Sequence, residues 1–130
     1  MNDPIGDFII RIKNAGSVRK ASFTVPFSKV KLAIAELLSA KGYLGVVTKK
    51  NKGNARYLNI ELLYMEDGSP KVRGVKRMSK PSRRIYEGAK NIKKFRKGFG
   101  LSIFSTPKGI MADTDAKKSN LGGEFLFNIW

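Results

Sequence analysis

The chain contains no cysteine and no histidine. Without cysteine there is no disulfide and no thiolate metal site. Without histidine it lacks the side chain that most often serves as general base near neutral pH. Carboxylates are sparse: 10 Asp and Glu among 130 residues. No G-x-x-x-x-G-K-[ST] phosphate loop occurs, and "GFGLSI" lacks the third glycine of a dinucleotide fingerprint. Asp113 and Asp115 stand two apart, a spacing open to a Mg²⁺ ion or to capping and dipole compensation of a short helix. No apolar run approaches the roughly 20 residues of a membrane span. The start, Met-Asn-Asp-Pro, has neither the basic residues nor the apolar stretch of a signal peptide. These absences argue against an enzyme, a bound metal or cofactor, a small-molecule substrate and a membrane partner.

What the chain has is positive charge. It carries 26 Lys and Arg, giving a net charge of +16 at neutral pH. That excess exceeds what solubility requires and points to a polyanionic partner. It is uneven. Residues 1–66 hold 11 basic and 5 acidic residues, and residues 67–130 hold 15 and 5. Twelve of the basic residues fall in 71–97, where Glu87 is the single acid, so they cannot be neutralised within the segment. With 42% apolar residues the chain can still build a core, and its length suits one domain or two small ones.

Hydrophobic periodicity supplies the elements. Asp3-Pro4 is a helix start, followed by Ile5, Phe8, Ile9 and Ile12 on one face, with Gly16 as the stop. "SFTVP" reads as a short strand. Ser28 caps a second helix with Val30, Ile34, Leu37 and Leu38 inward and Gly42 at its end. "YLGVVTKK", the turn "NKGN" and the alternating "RYLNIELLY" form a hairpin. "EDGSP", residues 66–70, is the strongest turn cluster, and a domain boundary is expected there: 1–66 as an α/β domain, 67–130 as a mainly β domain. The second half reads as a strand in "KVRGVKRM" and another after Pro81. A short helix or turn follows over 91–97, then strands on either side of residues 105–109 and a brief helix capped by Asp113 or Thr114. "EFLFNIW" is a final strand with Phe125, Phe127 and Ile129 on one face. The fold class expected is α+β in two small domains.

Recognition is the chemistry left. Arg and Lys contact phosphates, small hydroxyls reach base edges or a 2′-hydroxyl, and an exposed aromatic stacks. Ser105 and Thr106 sit in the turn "STPKG", either as plain turn residues bonding their own backbone or as donors to RNA. Tyr86, after Arg83-Arg84, is either a stacking platform between phosphate anchors or a half-buried core ring. Glu124, beside two glycines in a basic half, either accepts from base N–H groups or pairs with a lysine. Lys29 and Lys31 occupy the helix end that disfavours cations.

The segments "DPIGDFIIRIKNA", "PFSKVKLAIAELLSAKGY", "KPSRRIY" and "GLSIFSTPKGIMADTDAKKSNLGGEFLFNIW" closely resemble, in order and over the whole chain, the bacterial small-subunit ribosomal protein eight family. The resemblance implies a cytoplasmic, non-catalytic constituent of the small ribosomal subunit. It would bind an irregular helix in the central domain of the small-subunit ribosomal RNA through its C-terminal part. It would also help assemble that RNA, lie among neighbouring small-subunit proteins and, in several members, repress its own operon mRNA. By the family pattern Ser105 and Thr106 touch the core of that helix, and Lys108 and Gly109 continue the loop. Tyr86 lies against the RNA. Glu124, after Gly122-Gly123, approaches the bases, and Lys29 and Lys31 reach a second RNA segment. Pro107 departs from the small polar residue frequent in the family, and the basic residues Lys93, Lys94, Arg96 and Lys97 have no family role. The rival reading is a general basic architectural protein that binds any nucleic acid.

Overall fold

Helix α1 (Pro4–Ser17) begins where the Asp3-Pro4 pattern places it. Its buried stripe is Phe8, Ile9 and Ile12. The computed structural model describes residues 3–130, apart from the side chains of residues 97 and 98, so the reading of Lys97 lies outside the described side chains. The chain divides into two units. One is Ile10–Arg73. The other is Gly74–Trp130 together with the described N-terminal residues up to Ile9.

The first unit contains strand β1 (Ser22–Pro26), helix α2 (Lys29–Ala40) and the hairpin β2 (Leu44–Lys52) and β3 (Ala55–Leu62). These strands form an antiparallel sheet in the order β1-β3-β2. Ser28 caps α2, its hydroxyl accepting from Lys31 N at 3.2 Å. Ile34, Ala35 and Leu38 are the buried residues of α2. Val30, expected inward, is 44% exposed, because the buried stripe starts only one turn into the helix. The turn cluster at 66–70 closes on its own stem: Met65 N donates to Ser69 O, and Lys71 N to Leu63 O. Those bonds hold the turn in the first unit, and the division falls after Arg73 rather than at 66 and 67.

The second unit holds β4 (Val75–Arg77), β5 (Tyr86–Glu87), β6 (Leu101–Thr106), β7 (Gly109–Ala112), helix α3 (Asp113–Lys118) and β8 (Gly123–Ile129). All pairings are antiparallel, in the order β4-β8-β6-β7, with β5 also on β8. The architecture is the mixed α+β class that the sequence predicts. Several details differ. The basic strand is three residues long, since Lys71 is drawn to Leu63 and pairing with β8 starts only at Val75. After Pro81 the chain first makes a tight turn, Lys80 and Arg83 exchanging backbone bonds, and only Tyr86–Glu87 is extended. The short helix or turn expected over 91–97 is two single-turn helices, Ala89–Asn91 and Phe95–Gly98. Ala112, not Asp113 or Thr114, stands at the N-cap of α3.

The largest difference lies in β8. Ile103 pairs with Phe127, but the next residue, Phe104, pairs with Phe125. Leu126 is therefore an extra residue, a β-bulge. Consecutive residues of β6 face opposite ways, so Phe125 and Phe127 face opposite ways too. Phe125 stacks on Phe104 with ring centroids 4.7 Å apart.

A partly buried ion pair ties the unit's N-terminal residues to β4. Arg77 donates to both carboxylate oxygens of Asp3 at 3.1–3.3 Å and to Leu126 O at 2.6 Å. Burial pushes the Asp3 pKa up, but the Arg77 hydrogen bond, the Gly6 N–H and the charges of Arg77 and Arg84 outweigh it. The carboxyl is held below its ordinary 3.8. A depressed pKa favours the folded state above the unfolded value, and that contribution disappears as pH falls through the lowered one. Asp3→Asn should lower stability at neutral pH and flatten the acid limb of the stability curve. Urea unfolding at neutral and acid pH checks both.

Candidate nucleic-acid interface

The site starts from a hairpin tip. Thr106 and Gly109 are paired, leaving Pro107-Lys108 as a two-residue loop between β6 and β7. Pro107 presets its own φ at the first loop position. Gly109 has φ +112°, a value that favours glycine. The Thr106 hydroxyl is consumed by the turn: it donates to Gly109 O at 2.8 Å and accepts from Lys108 N at 3.2 Å. The residue is 9% exposed. Ser105, half-buried, has no hydrogen-bond partner for its hydroxyl among the described residues. The two adjacent hydroxyls thus differ, the one of Thr106 holding the loop and the one of Ser105 taking no part in it.

Cross-strand pairing sets the rest. Ser105 is opposite Glu124, Glu124 opposite Tyr86, and Ser105 opposite Ile110. Partners directly opposite share a face. Tyr86, Glu124 and Ser105 therefore form one row across β5, β8 and β6. Tyr86 is 68% exposed, so its ring lies open on this face rather than half-buried in the core.

Glu124 is held by neighbours. Its Oε2 accepts from Ser79 Oγ at 2.5 Å, and Arg84 Nη1 reaches both oxygens at 3.2–3.3 Å. The intramolecular partner is thus an arginine rather than a lysine. The ion pair is lopsided: the Arg84 side chain is 55% exposed and that of Glu124 13%. The outward guanidinium keeps N–H groups open to solvent, while the carboxylate is fixed in place. Ser79 is fully buried and also accepts from Ile85 N at 3.1 Å. Sequence reading missed Ser79, and a serine between basic residues gives no signal of such a role.

The glycines are spacing residues. A Cβ on Gly123 would lie 2.0 Å from Ser105 O, and one on Gly122 would lie 2.6 Å from Glu87 O. Only a bare backbone lets β8 approach its neighbours there.

Arg84, Tyr86, Ser105, Thr106, Lys108, Gly109, Gly122, Gly123 and Glu124 thus gather at one end of the second unit's sheet. Arg83 is exposed in the turn that precedes Arg84, and Lys108 is exposed at the hairpin tip. Lys29 and Lys31 belong to the first unit, exposed and half-buried at the start of α2. Near them in that unit, Arg56 lies over the Phe27 ring at 4.0 Å. Asp113 is fully engaged: its oxygens accept from Phe95 N and Thr114 N, both at 2.8 Å. Among the described residues no group of three or more acids gathers as a metal site would require. No described helix is long and apolar enough to cross a membrane.

A basic two-unit α+β protein with an exposed aromatic, a pinned carboxylate and a half-buried hydroxyl in one row has the features of a nucleic-acid-binding protein. The family model described as ribosomal protein S8 matches residues 3–130. Similar chains include the small ribosomal subunit protein uS8 of Ruegeria pomeroyi, 45% identical over 131 residues and covering 100% of both chains. The protein of the same name from Bradyrhizobium sp. (strain ORS 278) is 43% identical over 130 residues, covering 99% of this chain and 98% of its own. That of Chlorobaculum tepidum is 42% identical over 130 residues, covering 100% of this chain and 98% of its own. The chain belongs to the ribosomal protein S8 family.

Proposed function

We propose that the chain is a cytoplasmic constituent of the small ribosomal subunit that binds the central domain of the small-subunit ribosomal RNA directly and helps it fold. The observation carrying this reading is the row Tyr86–Glu124–Ser105 beside the rigid 106–109 turn. Exposed cations, Arg83, Arg84 and Lys108, anchor phosphates around the row. The fixed carboxylate and the open hydroxyl read bases or ribose, and Tyr86 stacks. Such a row suits an irregular helix with bases turned outward better than a regular duplex, whose A-form major groove excludes side chains. Lys29 and Lys31 reach a second RNA segment, and the remaining surface meets neighbouring small-subunit proteins. A similar element in the operon's own mRNA would be bound by the same row, repressing translation.

Two substitutions test the division of labour at the turn. Ser105→Ala should weaken binding to the irregular helix by about 1–2 kcal/mol, leaving duplex binding and the melting temperature unchanged. Thr106→Ala should instead lower stability by about 1 kcal/mol. For the wild type, log K against log salt should fall with a slope of roughly −4 to −7 if six to eight phosphates are engaged. Unchanged discrimination in Ser105→Ala, with that slope intact, would leave a general architectural protein as the answer.

A further inference from the structure

The bulge at Leu126 gives the sheet a second functional face. Beyond it Ser102 pairs with Asn128, on the same face as the stacked Phe104 and Phe125. Between these residues and the segment from Asn91 to Arg96 lies a cleft of about 550 Å³. That volume lies within the range of small-ligand sites, about 300–1,000 Å³.

The lining is chemically specific. Asn128 is 8% exposed, and Ser102 Oγ donates to its Oδ1 at 2.6 Å. This bond fixes the amide and leaves its NH₂ group for a ligand in the cleft. Phe125, half-buried over Phe104, offers an apolar surface for a flat ring. Lys93 and Lys94 are exposed residues of the lining, and the ion pairs of Arg77 with Asp3 and of Arg84 with Glu124 involve neither lysine. Arg96 also lines the rim, but its guanidinium lies over the Trp130 ring at 4.4 Å. Glu87 is the acid of the lining. It repels a phosphate from its own side and accepts from a base or ribose donor. A planar group that hydrogen-bonds an amide and carries negative charge on one side is a nucleotide. Given the net charge of +16, the abundant source of nucleotides is RNA.

We propose that this cleft holds a single unpaired RNA nucleotide, with its base against Phe125 and Asn128 and its phosphate on Lys93 and Lys94. The site is separate from the Tyr86–Glu124–Ser105 row, which lies on the opposite face of the strands. It gives the basic 93–96 segment a role, and it rests on the reading of the chain as an RNA-binding protein.

The test is an NMR titration of the full chain with a short oligouridylate, with free uridine monophosphate and inorganic phosphate as separate arms. With the oligomer, the Asn128 side-chain amide and the Phe95 backbone amide should shift. The free nucleotide should move the same signals at higher concentration, and phosphate should leave Asn128 unmoved. Lys93→Ala with Lys94→Ala should weaken oligomer binding about tenfold. Asn128→Asp, which keeps the acceptor for Ser102, should also weaken it. The proposal is overturned if phosphate shifts Asn128 as the oligomer does, if both variants bind as wild type, or if oligomer shifts are confined to residues 105–110 and 124. In that last case RNA binding itself still stands. A titration without shifts for the oligomer or for an irregular RNA helix would remove that broader reading as well.

Discussion

Gly123→Ala is expected to cost about 3 kcal/mol of stability and to abolish recognition of the irregular RNA helix with it. The added Cβ would meet Ser105 O at 2.0 Å and Ser105 C at 2.8 Å. Both are backbone atoms, so no rotamer change relieves the overlap. Strand β6 would have to move away from β8 where Ser105 pairs with Glu124 and Glu124 with Tyr86, and the row would come apart. Gly88→Ala is the matched control, because nothing lies within 4 Å of a Cβ there. Urea unfolding of both variants, with filter binding to the specific helix, makes the comparison. A Gly123→Ala protein as stable and as tight-binding as Gly88→Ala would show that the strands do not approach so closely.

Glu124→Lys is the second large effect. It should destabilise the protein by about 2–3 kcal/mol, since charge-assisted bonds are lost and a buried hydroxyl loses its acceptor. Ser79 is the buried group left unsatisfied, and Arg84 would then face a like charge in place of the carboxylate it holds at 3.2 Å. The net charge rises from +16 by two, which by itself strengthens binding to any RNA. Affinity for the specific helix should nevertheless fall, while affinity for unrelated duplex rises. Glu124→Gln keeps the shape and an acceptor for Ser79, so it separates loss of charge from loss of scaffold. A lysine variant that melts as wild type and binds the specific helix more tightly would remove Glu124 from the interface.

Much of the fold could be read directly because local signals agree with tertiary demand. Asp3-Pro4 and Ser28 each start a helix, and the alternating "RYLNIELLY" is a strand, since capping and period-two burial act over a few residues. The second half was harder. Twelve basic residues between 71 and 97 carry little apolar periodicity, so the short strands there follow from pairing with β8, a partner about 36 to 54 residues away in sequence. The candidate site divides the same way. The turn at 105–109 announces itself through proline and glycine. Nothing local, however, distinguishes the hydroxyl of Thr106, spent on Gly109 and Lys108, from that of Ser105. Ser79 was invisible for the same reason, its role arising only when Glu124 arrives beside it. The turn at 66–70, which looks like a linker, is tied back to Leu63 and lies within the unit that ends at Arg73.

Alternation along a strand behaves like a wave of period two, and the extra residue at Leu126 is a half-period slip in it. Glu124 and Asn128, four positions apart, would be in phase on an unbroken strand and are out of phase here. One continuous backbone can therefore address two opposite surfaces without bending back or adding an element. Deleting Leu126 would leave the two residues three positions apart on a regular strand, still facing opposite ways, whereas inserting a residue beside Leu126 or forcing it into the ladder would turn one of them to the wrong surface.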